Sequence, residues 1–253
     1  MKSNLLIEIQ QILAKKDAKK ERLPIPNYLF VQQYGREILE EMPQIAELFG
    51  QADWFAFDAG LKEKEGKTLS RFQMELNRHA GIGREYTGSV LIEIPRLEEA
   101  NEEKDFEELL SFIDSEKHRL HCVYTIPGDE YAEKIKKQLE NYGFVRAVYA
   151  EPYQLEEQVE IFMDTLKSYN FQVDDEAKQC VELFFQEKEW DVSDAVKVRI
   201  QNIAKEIVYC SIIKEAEHDN MVHKEDVESV FDSLVKEMAK KRQIGFVIGG
   251  AEL

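Results

Sequence analysis

Pro152-Tyr153-Gln154-Leu155-Glu156-Glu157-Gln158-Val159-Glu160-Ile161-Phe162 is the stretch at which this chain changes its pattern. It opens an amphipathic run that continues to Asn170. From here on, the apolar spacing is helical throughout, with helices expected near 154–169, 174–187, 194–216 and 224–240. Asp174 and Asp175 suit the N-cap of the second. Glu225 and Asp226 place acid in the first turn of the fourth, where the helix dipole favours it.

Upstream of Pro152 the pattern alternates. Short apolar runs at 28–31, 54–58, 89–94, 120–126 and 147–150 read as buried strands. Between them, helical spacings fall at 37–49, 69–79, 106–115 and 131–142. Pro43 interrupts the first of these or delays its start. Strands alternating with helices imply a mostly parallel α/β sheet. A short helix at 5–13 precedes them, followed by a charged run and by Pro24 and Pro26. Residues 1–23 therefore read as an N-terminal helical extension.

A second telling segment, Arg242-Gln243-Ile244-Gly245-Phe246, lies near the C-terminus. With the 152–162 stretch it resembles the lid and closing motif of AAA+ ATPases of the CbbX/SpoVK type. The resemblance spans about residues 24–250. It implies a parallel-sheet, P-loop-NTPase-like α/β domain at 24–151, followed by a small all-α helical lid domain at 152–253.

A working phosphate loop of that family reads G-x-x-x-x-G-K-[ST] between a strand and a helix. Its glycines let backbone N–H groups wrap the phosphates, its lysine neutralises their charge and its hydroxyl holds Mg²⁺. The loop after the first strand is Gln32-Gln33-Tyr34-Gly35-Arg36-Glu37-Ile38-Leu39. Gln32 and Glu37 occupy the two glycine positions, Ile38 the lysine and Leu39 the hydroxyl. Gly35 is the surviving inner glycine, and Arg36 is the neighbouring base. A carboxylate about 4 Å from phosphate costs several kcal/mol at an intermediate effective dielectric, so Glu37 opposes a triphosphate here.

Gly66-Lys67-Thr68 is an alternative phosphate loop, since the strand at 54–57 precedes it. Gly60, the nearest upstream glycine, leaves one residue too many, and the gap is filled by Lys62, Glu63, Lys64 and Glu65. The order of elements also places this segment after the second strand.

On the third strand, Val90-Leu91-Ile92-Glu93-Ile94-Pro95 stands where the family carries Asp-Glu. Glu93 keeps a carboxylate for Mg²⁺. Ile94 replaces the water-activating Glu and accepts no proton. Thr125, ending the fourth strand, matches a polar sensor position. The family's arginine finger maps onto Asn141-Tyr142-Gly143-Phe144-Val145-Arg146, which leaves Arg146 as the candidate contact to a neighbouring subunit. Arg199, in Ser193-Asp194-Ala195-Val196-Lys197-Val198-Arg199, is the candidate sensor arginine of the lid.

Composition narrows the function classes. The 253 residues, 43% of them hydrophobic, with 14 Phe and 10 Tyr, suffice for a substantial core. The formal charge of −17 repels nucleic acid and anionic lipid, so neither is expected as a partner. Cys122, Cys180 and Cys210 are scattered and odd in number, which fits reduced thiols and a cytoplasmic location. His118 and His121 have no third ligand nearby in sequence, and no metal site is expected.

Taken with the resemblance, these residues imply a catalytically inactive AAA+-like subunit or adaptor without a cofactor. It would act through protein assembly, with an active AAA+ partner or by self-association. Two alternatives stay open. One is a divergent ATPase remodelling a protein client through Gly66, Lys67, Thr68 and Glu93. The other is a sensor that binds ATP or ADP with Mg²⁺ and does not turn it over.

Overall fold

A computed structural model describes residues 3–19, 26–51, 53–60, 67–95, 100–128, 130–214 and 220–234. Gly66, the 242–246 segment and the expected helix beyond 234 lie outside these residues. The chain divides into two compact units that meet in sequence between Pro152 and Tyr153.

The first unit is built on five parallel strands: β1 (Asn27–Gln32), β2 (Trp54–Asp58), β3 (Gly88–Glu93), β4 (Leu120–Pro127) and β5 (Val145–Tyr149). Their spatial order is β2-β3-β4-β1-β5, so β1 lies between β4 and β5. Side chains alternate between the two faces of a strand, and β1 is buried on both. Leu29 and Val31 pack on one face with Phe72 and Leu76 of α3 (Thr68–Ala80). Leu109 of α4 (Ala100–Ser115) and Ile135 of α5 (Ala132–Glu140) complete that layer. Tyr28 and Phe30 pack on the other face with Leu91 and Val123.

That second face is covered by α1 (Asn4–Lys19) and α2 (Met42–Leu48). Leu5, Leu6 and Ile9 of α1 are fully buried. Helix α1, expected as an extension, thus belongs to the core of the α/β unit. Its start is tied to the head of α2: Glu41 Oε1 accepts from the Ser3 N–H at 2.6 Å, and its other oxygen takes the Ser3 hydroxyl. The helix expected at 37–49 begins late. A 3₁₀ turn (Leu39–Glu41) comes first, and Pro43 sits in the first turn of α2, where its missing N–H costs nothing. Helix α4 starts six residues before the expected 106, because Glu102 and Glu103 suit a first helical turn.

The second unit holds α6 (Leu155–Ser168), α7 (Asp175–Glu187), α8 (Val196–Lys214) and α9, helical over 224–234. Glu157 reaches back to the Gln154 N–H at 2.8 Å to cap α6, and Asp174 caps α7 by accepting from the Ala177 N–H at 2.7 Å. The core gathers Phe162, Leu166, Phe185, Ile200, Ile207 and Phe231, all buried. Phe184 stacks on Phe231 at 3.8 Å.

This unit is not wholly helical. Gln172–Val173 (β6) and Met221–Val222 (β7) form a two-stranded parallel sheet. Asn170 (φ 62°) and Asn220 (φ 57°) turn the chain into each strand, using the left-handed region that asparagine tolerates. Two residues are too few to leave a period of two in the sequence, which is why only helices were expected.

Candidate functional site

In an open parallel sheet, ligands bind outside the carboxyl ends of the strands, where the chain order switches direction. Here the order switches around β1, and a cavity of about 350 Å³ opens at that edge. Its polar lining is Gln32, the last residue of β1, Glu37 from the following loop, Asp58 ending β2, Glu93 ending β3, and Thr125 on β4. Leu91, Ile94 and Ile126 supply apolar wall. No lysine or arginine among the described residues lines it.

The β1–α2 loop shapes one side. Tyr34 (φ 56°) and Gly35 (φ 66°) form a tight turn, closed by the Arg36 N–H donating to the Gln33 carbonyl at 2.9 Å. Glu37 follows and faces the cavity. Ile38 does not: it is fully buried with Met42 and Ile45 under the sheet. The residue in the lysine position of the loop frame is therefore a core residue. Helix α2 has seven residues, and Glu40 and Glu41 precede it. Its N-terminus offers acid where a phosphate site would offer bare N–H groups.

Three carboxylates meet in this cavity. The Glu93 carboxyl is held above the usual carboxylate range, first by burial, then by the charges of Asp58 and of Glu37. Asp58 and Glu93 are register partners at the ends of β2 and β3. Asp58 Oδ1 accepts from the Gly60 N–H at 2.7 Å. Arg71 lies over the Phe57 ring at 5.4 Å and donates to the backbone carbonyls of Asp58 and Ala59 at 3.4 Å.

Thr125 completes the ring. It is 2% exposed, and its Oγ1 is buried with no hydrogen-bond partner among the described residues. Buried hydroxyls are nearly always paired, so this one is an exception in the wall of the cavity. Ile94, in the position of the water-activating carboxylate, is 1% exposed and apolar.

The other expected site residues of the first unit lie elsewhere in it, and Arg199 belongs to the second unit. Arg146 is near the amino end of β5, in register with Tyr28, at the opposite edge of the sheet from the cavity. It pairs with Glu8 of α1 at 2.7 Å, which raises its already high pKa. Lys67 occupies the position before α3, with Thr68 as the first helical residue, and its ammonium pairs with Glu108 at 3.3 Å. Arg199 on α8 pairs with Asp194 at 2.7 Å. The structure thus unites Glu93 and Thr125 in one cavity and places Gly35 and Arg36 in the loop beside it. It does not bring Lys67, Thr68 or Arg146 to its lining. Asp58 was not expected there, whereas Gln32 and Glu37 were read in the phosphate loop. The signal for Asp58 in the sequence is a polar residue closing a buried strand.

No protein-family model matches the chain, and no curated protein does. Solved structures do match. The RuvB Holliday junction branch migration motor of Thermotoga maritima aligns with a TM-score of 0.56 at 13% identity, covering 91% of this chain and 68% of its own. Two mutants of the same RuvB align with TM-scores of 0.57 and 0.58, at 12% and 11% identity. They cover 90% and 91% of this chain and 68% of theirs. The chain has the α/β P-loop fold of AAA+ ATPases.

Proposed function

We propose that this chain is an AAA+-like protein that does not hydrolyse ATP by the route its fold usually serves, and that it works through protein contacts as a subunit or adaptor. The carrying observation is the cavity at the carboxyl edge of the sheet. Glu37, Asp58 and Glu93 line it, and no base among the described residues does. A triphosphate needs compensation there by lysine, Mg²⁺ and backbone N–H groups. Ile38 and Ile94, buried apolar residues in the lysine and water-activating positions, support the same reading. The chain is then a pseudo-ATPase with a degenerate phosphate loop, and the 152–162 stretch supports a kinship with the CbbX/SpoVK type within the AAA+ class.

The partners consistent with this reading are an active AAA+ ATPase or a second copy of the chain, in the cytoplasm. Among the described residues no helix is long and apolar enough to cross a membrane. RuvB acts on Holliday junctions by its name, but a net charge of −17 argues against a DNA substrate here.

A second reading, a divergent ATPase or nucleotide sensor, draws on Lys67 and Thr68 at the start of α3. Calorimetric titration with MgATP and MgADP tests both. The proposal expects no binding heat from either nucleotide. Saturable MgATP binding that Lys67→Ala removes would establish the second reading instead.

A further inference from the structure

Helix α8 is apolar on two faces. One of them, carrying Ile200, Ala204 and Ile207, is fully buried in the second unit. The other is open. Val198, Tyr209, Ile212 and Ile213 are between 46% and 64% exposed. Apolar residues scattered singly over a surface are ordinary, but a helix that is apolar all round is normally covered. Contiguous apolar surface marks a place of contact.

The open face has an order to it. At about 100° per residue, Val198, Asn202, Lys205, Glu206, Tyr209 and Ile213 lie within about 50° of one line along the helix. All six are exposed. Read along α8, the stripe runs apolar, amide, base, acid, aromatic, apolar. Its midpoint falls between Lys205 and Glu206. A two-fold axis through that midpoint lays the stripe antiparallel on the same stripe of a second copy, as an isologous contact requires. Lys205 of each copy then faces Glu206 of the other, Val198 faces Ile213, and Asn202 faces Tyr209. Apolar ends meet apolar ends, and the charged centre meets its opposite twice.

Charge also selects this place. A net charge of −17 makes two copies repel over most approaches. Within the stripe the one base and the one acid cancel. Arg199, at its margin, is paired inside its own chain with Asp194 at 2.7 Å.

We infer that the exposed stripe of α8 is a self-association surface, on which two copies of this chain pack α8 against α8, antiparallel, with Lys205 and Glu206 paired across the axis. The inference rests on the reading of the chain as one that works through protein contacts, and it chooses the second copy as the partner for this surface. One helix against one helix is a small interface, so the dimer forms with rising concentration.

Sedimentation velocity of the full chain, from low to high micromolar concentration and without nucleotide, tests it. Wild type is compared with Lys205→Glu, Glu206→Lys, the double reversal and Tyr209→Ser, and circular dichroism verifies that each is folded. Wild type is expected to shift from monomer to dimer as concentration rises. Each single reversal sets like charges against each other at both crossings and weakens association about tenfold or more. The double reversal restores it, and Tyr209→Ser weakens it with the charges intact. A monomer at every concentration overturns the inference, as does association that the single reversals leave unchanged or the double reversal fails to recover. A monomer that also releases no phosphate removes this surface and leaves the non-hydrolysing reading standing. Association that appears only with MgATP and ignores both reversals overturns the inference and that reading together.

Discussion

Glu93 and Thr125 sit side by side in register at the carboxyl ends of β3 and β4, and the backbone locks them there. The Ile94 N–H donates to the Thr125 carbonyl at 2.8 Å. Both residues line one cavity: Glu93 carries more charge than its surroundings favour, and the Thr125 hydroxyl is buried without a partner among the described residues. Sites that work against local stability are where function is expected.

The charge of Glu93 has a pH signature. Its folded-state pKa is raised by burial and by Asp58 and Glu37, while Arg71 beside Asp58 is engaged with backbone carbonyls. The folded chain therefore holds this proton more tightly than the unfolded chain. Its contribution favours the fold in acid and is lost as pH rises through the raised pKa. Glu93→Gln removes the charge and keeps the shape. The variant is expected to be more stable than wild type at neutral pH, with the gap closing as pH falls into the carboxylate range. Denaturant titrations at a series of pH values measure it. A gap that widens in acid would contradict the assignment.

Thr125→Val tests the orphan hydroxyl. Valine keeps the branched shape and removes an unpaired buried polar atom, which should stabilise the fold by about 1 kcal/mol. The reading is a higher denaturant midpoint at unchanged slope. A loss of stability would mean that the hydroxyl is already satisfied.

Gly60 lies against the rim of the cavity. A Cβ added there would meet Pro95 Cβ at 2.6 Å and Cγ at 2.7 Å, in a rigid ring that cannot swing away. Gly60→Ala should cost about 1–3 kcal/mol by overpacking and lower the Tm by several degrees. Calorimetry checks it, and an unchanged Tm would show that the β2–α3 turn yields freely.

Helix α1 and its ion pair separate packing from surface charge. Leu6 is fully buried against the sheet, so Leu6→Ala should cost about 2–5 kcal/mol. Arg146 is 56% exposed on its side chain and pairs with Glu8 at the surface. Arg146→Ala should cost no more than about 1 kcal/mol. Chemical denaturation of both variants gives the comparison. A small loss for Leu6→Ala would restore α1 to the status of an appendage.

Much of this was legible in the residues, for physical reasons. All five strands of the sheet carry dense apolar runs because a parallel sheet is covered on both faces, and 54–58 matches β2 in full. The helices of the second unit show a clear helical period, and Asp174 announces the cap of α7. The role of α1 was hidden, because Leu5, Leu6 and Ile9 mark an apolar stripe without naming what it covers. The strands β6 and β7 were hidden by their length. At the site, Glu93 and Thr125 could be found because strand ends fix position. Asp58 joins Glu93 only through the β2–β3 register, a relation between segments that are far apart in sequence. Arg146 suited a finger by motif alone, and the direction of β5 puts it at the other edge.

The central claim is that this fold does not turn over ATP, and phosphate release tests it most directly. Purified wild-type chain and Lys67→Ala are each held with saturating MgATP, and inorganic phosphate is followed over time. The account predicts that neither protein releases phosphate above the protein-free rate. Sustained release by wild type, abolished in Lys67→Ala, would contradict it and make this chain an active ATPase.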